Sequence, residues 1–565
     1  MTMKTACKTF LLSILGFACI SPAFTQNAPA SADIQSRILR TASEMGASVY
    51  EDFPVSAGAP NAFSGNLTSQ GFGVSKNSSF FSPKAFPVPQ VKETPSPEPQ
   101  VPPKPSFFDN VSLYSGYASL MFNMAGAQMK DNGFLPWQDP APSFEEISAR
   151  TLSIVKASGY KPRKYGQPSL LKAPGFVREM ETAADSRFIG GNYVRYLVDG
   201  EQSFEARYRL IAQAKKNILI TTWAFYDDIT GFETAGMLVE KKKQGVDVKV
   251  IVDDKILRVH GEKAVKLMES AGIEVLKYAE HRRKGDYWHV KMMLVDDKYS
   301  IVGGINFGDP YSHRDPNGFK WRDTDVLYSG PAVIESKKFF AEIWNSQIAE
   351  KKLKLSRIDA GVSPNQDFEP GDAKIAVLFQ NPPEDSNIFI SLLKAIYGAT
   401  EKINIENAYV VALPALETAI LDARARGVEV NIFTNSMESI DPESKFIAVP
   451  ILKSLAKFLA AGVNVYLKQG QTLHSKFMTV DGVYANIGSY NFHPRGERYD
   501  TELNVAIIGE KAAKELDAVF ETDISAAVKV RTAQDLGIKE TFWSSMLEKY
   551  FYSQLSHSPL KSDRK

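Results

Sequence analysis

Two distant stretches of the chain repeat one pattern, and that repetition limits what the chain can fold into. In HVKMMLVDDKYSIVGGINFGD and HSKFMTVDGVYANIGSYNFHP, a histidine is followed two residues later by a lysine and seven later by an aspartate. A glycine falls seven residues beyond that aspartate, and an asparagine three beyond the glycine. The two sets are His289, Lys291, Asp296, Gly303, Asn306 and His474, Lys476, Asp481, Gly488, Asn491. One such match carries little weight. Two with identical internal spacing are hard to explain by packing, which needs neither charged group twice. The apolar run after each His-x-Lys reads as a strand, on which residues i and i+2 share a face. An imidazole and an ammonium therefore stand side by side at one strand end. The seven-residue step puts each aspartate on the opposite face of an unbroken strand, away from the imidazole. Asp296 and Asp481, with Gly303 and Gly488, are therefore expected to serve the fold.

The duplication extends well beyond the motif. From about residue 190, helical stretches alternate with strands: SFEARYRLIAQAKK leads to NILITTWAFYDD, GFETAGMLVEKKKQG to VDVKVIVDD, EKAVKLMESAG to IEVLKYA. The same order returns near residue 373, and KKKQGVDVKVIVDD matches ARARGVEVNIFTN in its helix end, glycine stop and strand. Alternation of this kind predicts an α/β fold with a mostly parallel sheet covered by helices. Two αβα repeats, 186–357 and 371–530, are expected to pack about a pseudo-twofold axis as one continuous core. Residues 358–370 join them.

The chain has 565 residues, enough for several full-sized cores. Lys+Arg and Asp+Glu number 66 and 65, so global charge does not suggest a strongly basic nucleic-acid binder. Residues 1–23 carry Lys4 and Lys8 before an apolar run from Phe10 to Ile20, then small residues. This is the pattern of a secretory signal peptide, and it predicts an exported, periplasmic or secreted protein. The only cysteines, Cys7 and Cys19, lie in that leader, so the mature chain has no disulfide and no thiolate metal site. Residues 24–106 are a Ser/Gly/Pro-rich low-complexity linker. Residues 107–185 read as a lead-in packed on the domain, and 531–565 as a C-terminal helical tail.

The residue types suit phosphodiester chemistry. Attack on a phosphodiester needs a nucleophile near its pKa, positive donors on the phosphoryl oxygens and an acid for the leaving group. Two histidines can divide that work, one neutral and one protonated. Lys291 and Lys476 bind phosphate as point charges, and Asn306 and Asn491 can donate amide N–H groups to the same oxygens. Nothing in this chemistry needs a metal or other cofactor. Each imidazole also needs an acceptor to fix its tautomer. Candidates lie in WRDTDVLYSG and YDTELNVAIIG: Glu502 in the second, and in the first Asp323, or Asp325 on the same strand face. His260, His281, His313, His493 and His557 lack the pattern, although His493 lies just past Asn491, and Arg322 and Arg495 flank the two motifs.

With H-x-K-x4-D present twice, each followed by GGIN or GSYN, the chain resembles the phospholipase D superfamily. GGINFGDPY and HPRGERYDTELN look most like its bacterial cardiolipin synthase and phospholipase branch. The resemblance covers residues 190 to 530 and leaves out the first 185. It implies a phosphatidyltransferase or phosphodiesterase that works through a phosphohistidine, with His289 as nucleophile and His474 as general acid. The acid straight after a W-[IR] pair in cardiolipin synthases favours Asp323 over Asp325.

The expected partner is a glycerophospholipid, reached by peripheral membrane contact. The expected state is a monomer with one site built from its two repeats. Nucleic acid is not favoured, since clusters such as Lys241–Lys243 read as solvated faces or contacts with anionic lipid. TFWSSMLEKYFYSQL, near the C-terminus, reads as an amphipathic helix, either packed on the second repeat or lying in a membrane interface.

Overall fold

Asp296 and Asp297 adopt φ of 55° and 56°, and in the second copy Asp481 and Gly482 adopt 52° and 61°. Paired positive φ values of this kind make tight hairpin turns, and such a turn can join only antiparallel strands. The motif segments are therefore hairpins in a chain that otherwise alternates helix and strand. The structure, a computed structural model, describes residues 144–279, 287–361 and 366–538. The expected signal peptide and linker, residues 107–143 of the lead-in, His281, His557 and the predicted tail helix lie outside the described residues.

The first repeat contributes β1 (Ile189–Val198), β2 (Asn217–Thr222), β3 (Asp247–Asp253), β4 (Glu274–Tyr278), β5 (Met292–Val295), β6 (Tyr299–Gly303) and β7 (Thr324–Ser329). The second contributes β8 (Ala373–Gln380), β9 (Lys402–Asn407), β10 (Glu429–Asn435), β11 (Asn464–Lys468), β12 (Lys476–Val480), β13 (Tyr484–Gly488) and β14 (Glu502–Ile508), with β15 (Val528–Val530) at the edge. The described strands form one fifteen-stranded sheet ordered β15-β11-β10-β9-β12-β13-β14-β8-β1-β7-β6-β5-β2-β3-β4. Apart from β15, this order reads the same from either end, element for equivalent element. The antiparallel β1–β8 pair lies at the centre, where a pseudo-twofold axis would pass. The α/β fold of two repeats is as expected.

The expected parallel majority is not. Only β2-β3-β4 and β9-β10-β11, the strands joined by crossover helices, run parallel. The hairpins β5-β6-β7 and β12-β13-β14 and the seam between repeats are antiparallel.

The strands are buried on both sides. Leu503, Val505 and Ile507 of β14 alternate toward a core shared by the repeats, which includes Trp288, Phe339, Phe340 and Trp344. The other large core belongs to the second repeat and takes in part of the lead-in: Val155, Leu170, Leu171, Phe176 and Met180 pack with Ile388, Leu392 and Ile396. Phe176 stacks on Tyr397, and a Cβ on Gly398 would come within 2.7 Å of the Phe176 ring. The buried Lys394 ammonium donates to Val155 O (3.2 Å) and to Glu179 (3.3 Å). The helices Phe144–Lys156 and Pro174–Ala183 are thus built into the second repeat.

Candidate active site

The segment before each motif histidine pairs with the other repeat. Trp288 bridges to Thr501 and Leu473 bridges to Arg322, both in parallel. The backbone bonds match about the axis. His289 N–H donates to Thr501 O (3.1 Å) and Thr501 N–H to Tyr287 O (3.0 Å). His474 N–H donates to Arg322 O (2.7 Å) and Arg322 N–H to Thr472 O (2.8 Å). Each bridge sets the residue after one bridging position beside the residue after the other. Glu502 of the second repeat therefore reaches His289 of the first, with Nδ1 2.9 and 3.0 Å from its two oxygens. Asp323 of the first reaches His474 of the second, at 2.7 Å from Nδ1. The carboxylate for each imidazole comes from the opposite repeat, not from the next strand of its own copy.

Asp325 is placed elsewhere. It is buried in an ion pair with Arg207 (2.7 Å) and accepts from Ser203 Oγ at 2.6 Å, so its charge is already matched. Asp323 keeps its second oxygen on the Thr324 N–H (2.8 Å).

Lys291 and Lys476 lie where an i, i+2 step puts them. Lys291 Nζ donates to His289 O at 2.7 Å, and Lys476 Nζ lies 3.0 Å from His474 Nδ1 while also donating to His474 O. Lys476 opens β12, whereas His289 and Lys291 precede the first residue of β5. Asn306 Oδ1 accepts from Thr222 Oγ1 (3.0 Å) and the Ala224 N–H (3.3 Å), leaving its buried Nδ2 donor without a partner. Asn491 has a buried Oδ1 without a partner. Buried polar groups are rarely left unbonded, so Asn306 has a donor to spare and Asn491 an acceptor.

The motif aspartates sit at the far, turn end of each hairpin. Asp296 accepts from the backbone N–H groups of Lys215, Lys216 and Asn217 at 2.7–3.1 Å. Asp481 does the same for Thr400, Glu401 and Lys402 at 2.8–3.0 Å. Each carboxylate clips its hairpin to the start of the neighbouring strand, and neither approaches an imidazole. Gly303 and Gly488 allow adjacent strands to close up: a Cβ would come within 2.6 Å of Thr324 O and 2.3 Å of Leu503 O respectively.

Several neighbours were not among the candidate site residues. Ser489 Oγ donates to Glu502 at 2.5 Å. Its counterpart is Gly304, where a Cβ would sit 2.3 Å from the Asp323 carboxylate. Trp321 stacks on His474 (ring centroids 5.3 Å apart, planes 28° apart) and Tyr311 meets the same ring edge-on at 5.2 Å. His289 has Trp223 edge-on at 5.9 Å.

Burial and the two ammonium groups hold both imidazoles well below their ordinary pKa. Burial pushes Lys291 down to about 7 and Lys476 to about 8, with Glu502 and Asp323 respectively opposing the shift. Burial raises Asp323 to about 6 and takes Glu502 well above the usual carboxylate range. The two carboxylates thus balance the buried cations only in part. An arriving phosphodiester supplies further negative charge, and raises the proton affinity of the lysines and histidines together. Among the described residues, no group of three or more His, Cys, Asp and Glu is placed to hold a metal ion.

A duplicated α/β scaffold that sets two His–carboxylate pairs and two lysines at one inter-repeat site defines a phosphodiester-processing enzyme. A family profile described as "Cardiolipin synthase, PLD-like domain" matches residues 208–328 and 392–524, which contain both motifs. The chain belongs to the phospholipase D superfamily and is one of its phosphatidyltransferase/phosphodiesterase enzymes. It is 29% identical over 373 residues to a cardiolipin synthase A of Pseudomonas fluorescens, covering 64% of this chain and 74% of that one. Cardiolipin synthase 1 of Staphylococcus epidermidis is 26% identical over 426 residues, covering 73% and 83%. In fold, the chain is similar to the phosphatidylserine synthase of Haemophilus influenzae, with a TM-score of 0.53 at 15% identity, over 68% of this chain and 98% of that one.

Proposed function

We propose that the protein is an exported, metal-independent enzyme that transfers or hydrolyses the phosphatidyl group of glycerophospholipids through a phosphohistidine on His289. The observation that carries this reading is the pair of crossed His–carboxylate contacts flanking Lys291 and Lys476. His289, kept neutral by burial and the neighbouring ammonium groups, attacks phosphorus through Nε2 while Glu502 holds Nδ1. The phosphorus–oxygen bond to the departing alkoxide breaks, and His474 gives that oxygen its proton. In the second half, His474 takes a proton from water or an alcohol, the new oxygen–phosphorus bond forms, and the phosphorus–nitrogen bond to His289 breaks. Lys291, Lys476 and the amides of Asn306 and Asn491 hold the phosphoryl oxygens.

The aromatic shell supports giving the acid role to His474. A ring stacked on an imidazole favours its cationic form, and Trp321 is so placed on His474, whereas Trp223 meets His289 only edge-on. Export rests on the leader pattern of residues 1–23. The duplicated site within one chain favours a monomer. No described helix is long and apolar enough to cross a membrane. Peripheral contact with the bilayer rests on the amphipathic pattern near the C-terminus.

The test offers purified mature protein phosphatidylglycerol, and separately DNA, with and without EDTA. The reading expects conversion of the lipid to phosphatidate or a new diester, unaffected by EDTA, and no cleavage of DNA. Loss with EDTA and rescue by a divalent ion, or turnover of DNA alone, contradicts it.

A further inference from the structure

The two halves of the site differ two residues beyond the motif asparagine. The first repeat has Gly308 there, and a Cβ on it would sit 2.6 Å from the Tyr226 ring. The second has His493, at the start of the short helix Pro494–Arg498. Its Nδ1 accepts from the Arg495 N–H (3.1 Å) and the Gly496 N–H (3.3 Å). An imidazole nitrogen that accepts two backbone hydrogen bonds carries no proton, so the hydrogen sits on Nε2. No described residue accepts from Nε2, and the ring is only half-buried. The groups around it are Arg495 and Asp500 on its own segment, Tyr409 with ring centroids 5.7 Å away, and Lys476. His289 is close enough for His493 to weigh on its protonation.

We infer that His493 is a substrate-binding group whose Nε2–H donates to an oxygen of the phosphodiester on the His289 side of the site. Its tautomer is locked by the helix it caps, so it offers a neutral donor that neither competes for the nucleophile's proton nor adds to the charge already crowding Lys291 and Lys476. Burial, offset by Asp500, takes it down to about 4, and the donor is unchanged throughout the neutral range. The first repeat, filled at this position by Tyr226, has no equivalent. The substrate is therefore gripped asymmetrically by a site whose motifs are symmetric.

The inference rests on the phosphodiester reading, and its test separates the two. His493→Asn retains a side-chain oxygen suited to the same helix cap but removes the donor at the Nε2 position. His493→Ala removes both. The expected result is that His493→Asn melts at the wild-type temperature while His493→Ala melts lower. His493→Asn also raises KM for short-chain phosphatidylglycerol roughly ten-fold, with kcat changed much less. Calorimetry then shows where the bond goes. Weaker binding of sulfate places it on a phosphoryl oxygen, and unchanged sulfate binding with raised KM places it on a bridging ester oxygen. A His493→Asn protein with wild-type KM and wild-type sulfate affinity makes His493 a helix cap only and overturns the inference. Wild-type protein that neither binds sulfate nor turns over the lipid takes down the functional reading with it.

Discussion

Asp323 in the first repeat lies 2.7 Å from Nδ1 of His474 in the second. The contact crosses the pseudo-twofold axis, and Glu502 returns it by holding His289. Neither repeat holds a complete His–carboxylate pair by itself. Asp323→Asn and Glu502→Gln keep the shape of each contact but put an amide where a carboxylate stood. Each is expected to lower kcat on the order of a hundred-fold or more, because the imidazole loses the acceptor that fixes its tautomer. Steady-state kinetics check this, and circular dichroism should show both variants folded.

Asp325, two residues from Asp323 on the same strand, gives the opposite outcome. Its carboxylate and the Arg207 guanidinium are both buried, so Asp325→Asn strands a charge in the core. A loss of about 3–5 kcal/mol of stability is expected. Denaturant unfolding measures it, and activity per folded molecule should fall far less than in Asp323→Asn.

The contrast shows how far the site was legible in the sequence. The motif spacing exposed His289, Lys291, His474, Lys476 and the two asparagines, because strand parity and repetition are local properties. Asp323 and Glu502 were recognisable as candidates, but their partners were not. Pairing depends on where the twofold axis falls, and that emerges only when β1 meets β8. The hairpin turns at Asp296-Asp297 and Asp481-Gly482 were readable as turn chemistry. The parallel majority expected from the helix–strand alternation leaves these hairpins out of account. Parity nevertheless separated the motif aspartates from the imidazoles. Trp321, Tyr311 and Ser489 carry no chemistry in isolation and become neighbours of the site only through the fold. The lead-in's place on the second repeat depends on Phe176 and Lys394 meeting across more than two hundred residues of chain.

The lysines make ligand binding sensitive to pH. Burial brings the pKa of the Lys291 ammonium down to about 7 and that of Lys476 to about 8. The site loses positive charge as pH rises through both values. Sulfate, whose own charge is constant here, should bind most tightly below pH 7, weaken between pH 7 and 9, and take up protons on binding within that window. Because the folded-state values lie below the ordinary 10.5, the unfolded chain binds more protons between them. These two groups therefore make the folded protein more stable as pH rises from about 7 toward that value. Calorimetry in buffers of different ionisation heat reads the proton uptake, and Lys291→Met should remove its lower step.

The C-terminal segment TFWSSMLEKYFYSQL is expected either to pack on the second repeat or to act at the membrane interface. Its Trp and Tyr suit the headgroup layer, and LKSDRK supplies cations for anionic lipid. On the interfacial reading, deleting residues 541–565 weakens sedimentation with phosphatidylglycerol vesicles while leaving the melting temperature and turnover of a short-chain soluble substrate intact. A large drop in melting temperature would assign the segment to the fold instead.

The central claim is that one histidine carries the phosphatidyl group and the other manages protons. It is tested most directly by quenching the enzyme during turnover of a phosphatidylglycerol labelled in its phosphatidyl group and measuring label on the protein. The account predicts no adduct in His289→Asn, and in His474→Asn a slowly formed adduct that persists, since no base remains to activate the acceptor. An adduct that accumulates in His289→Asn and is absent from His474→Asn would contradict it and reverse the two roles.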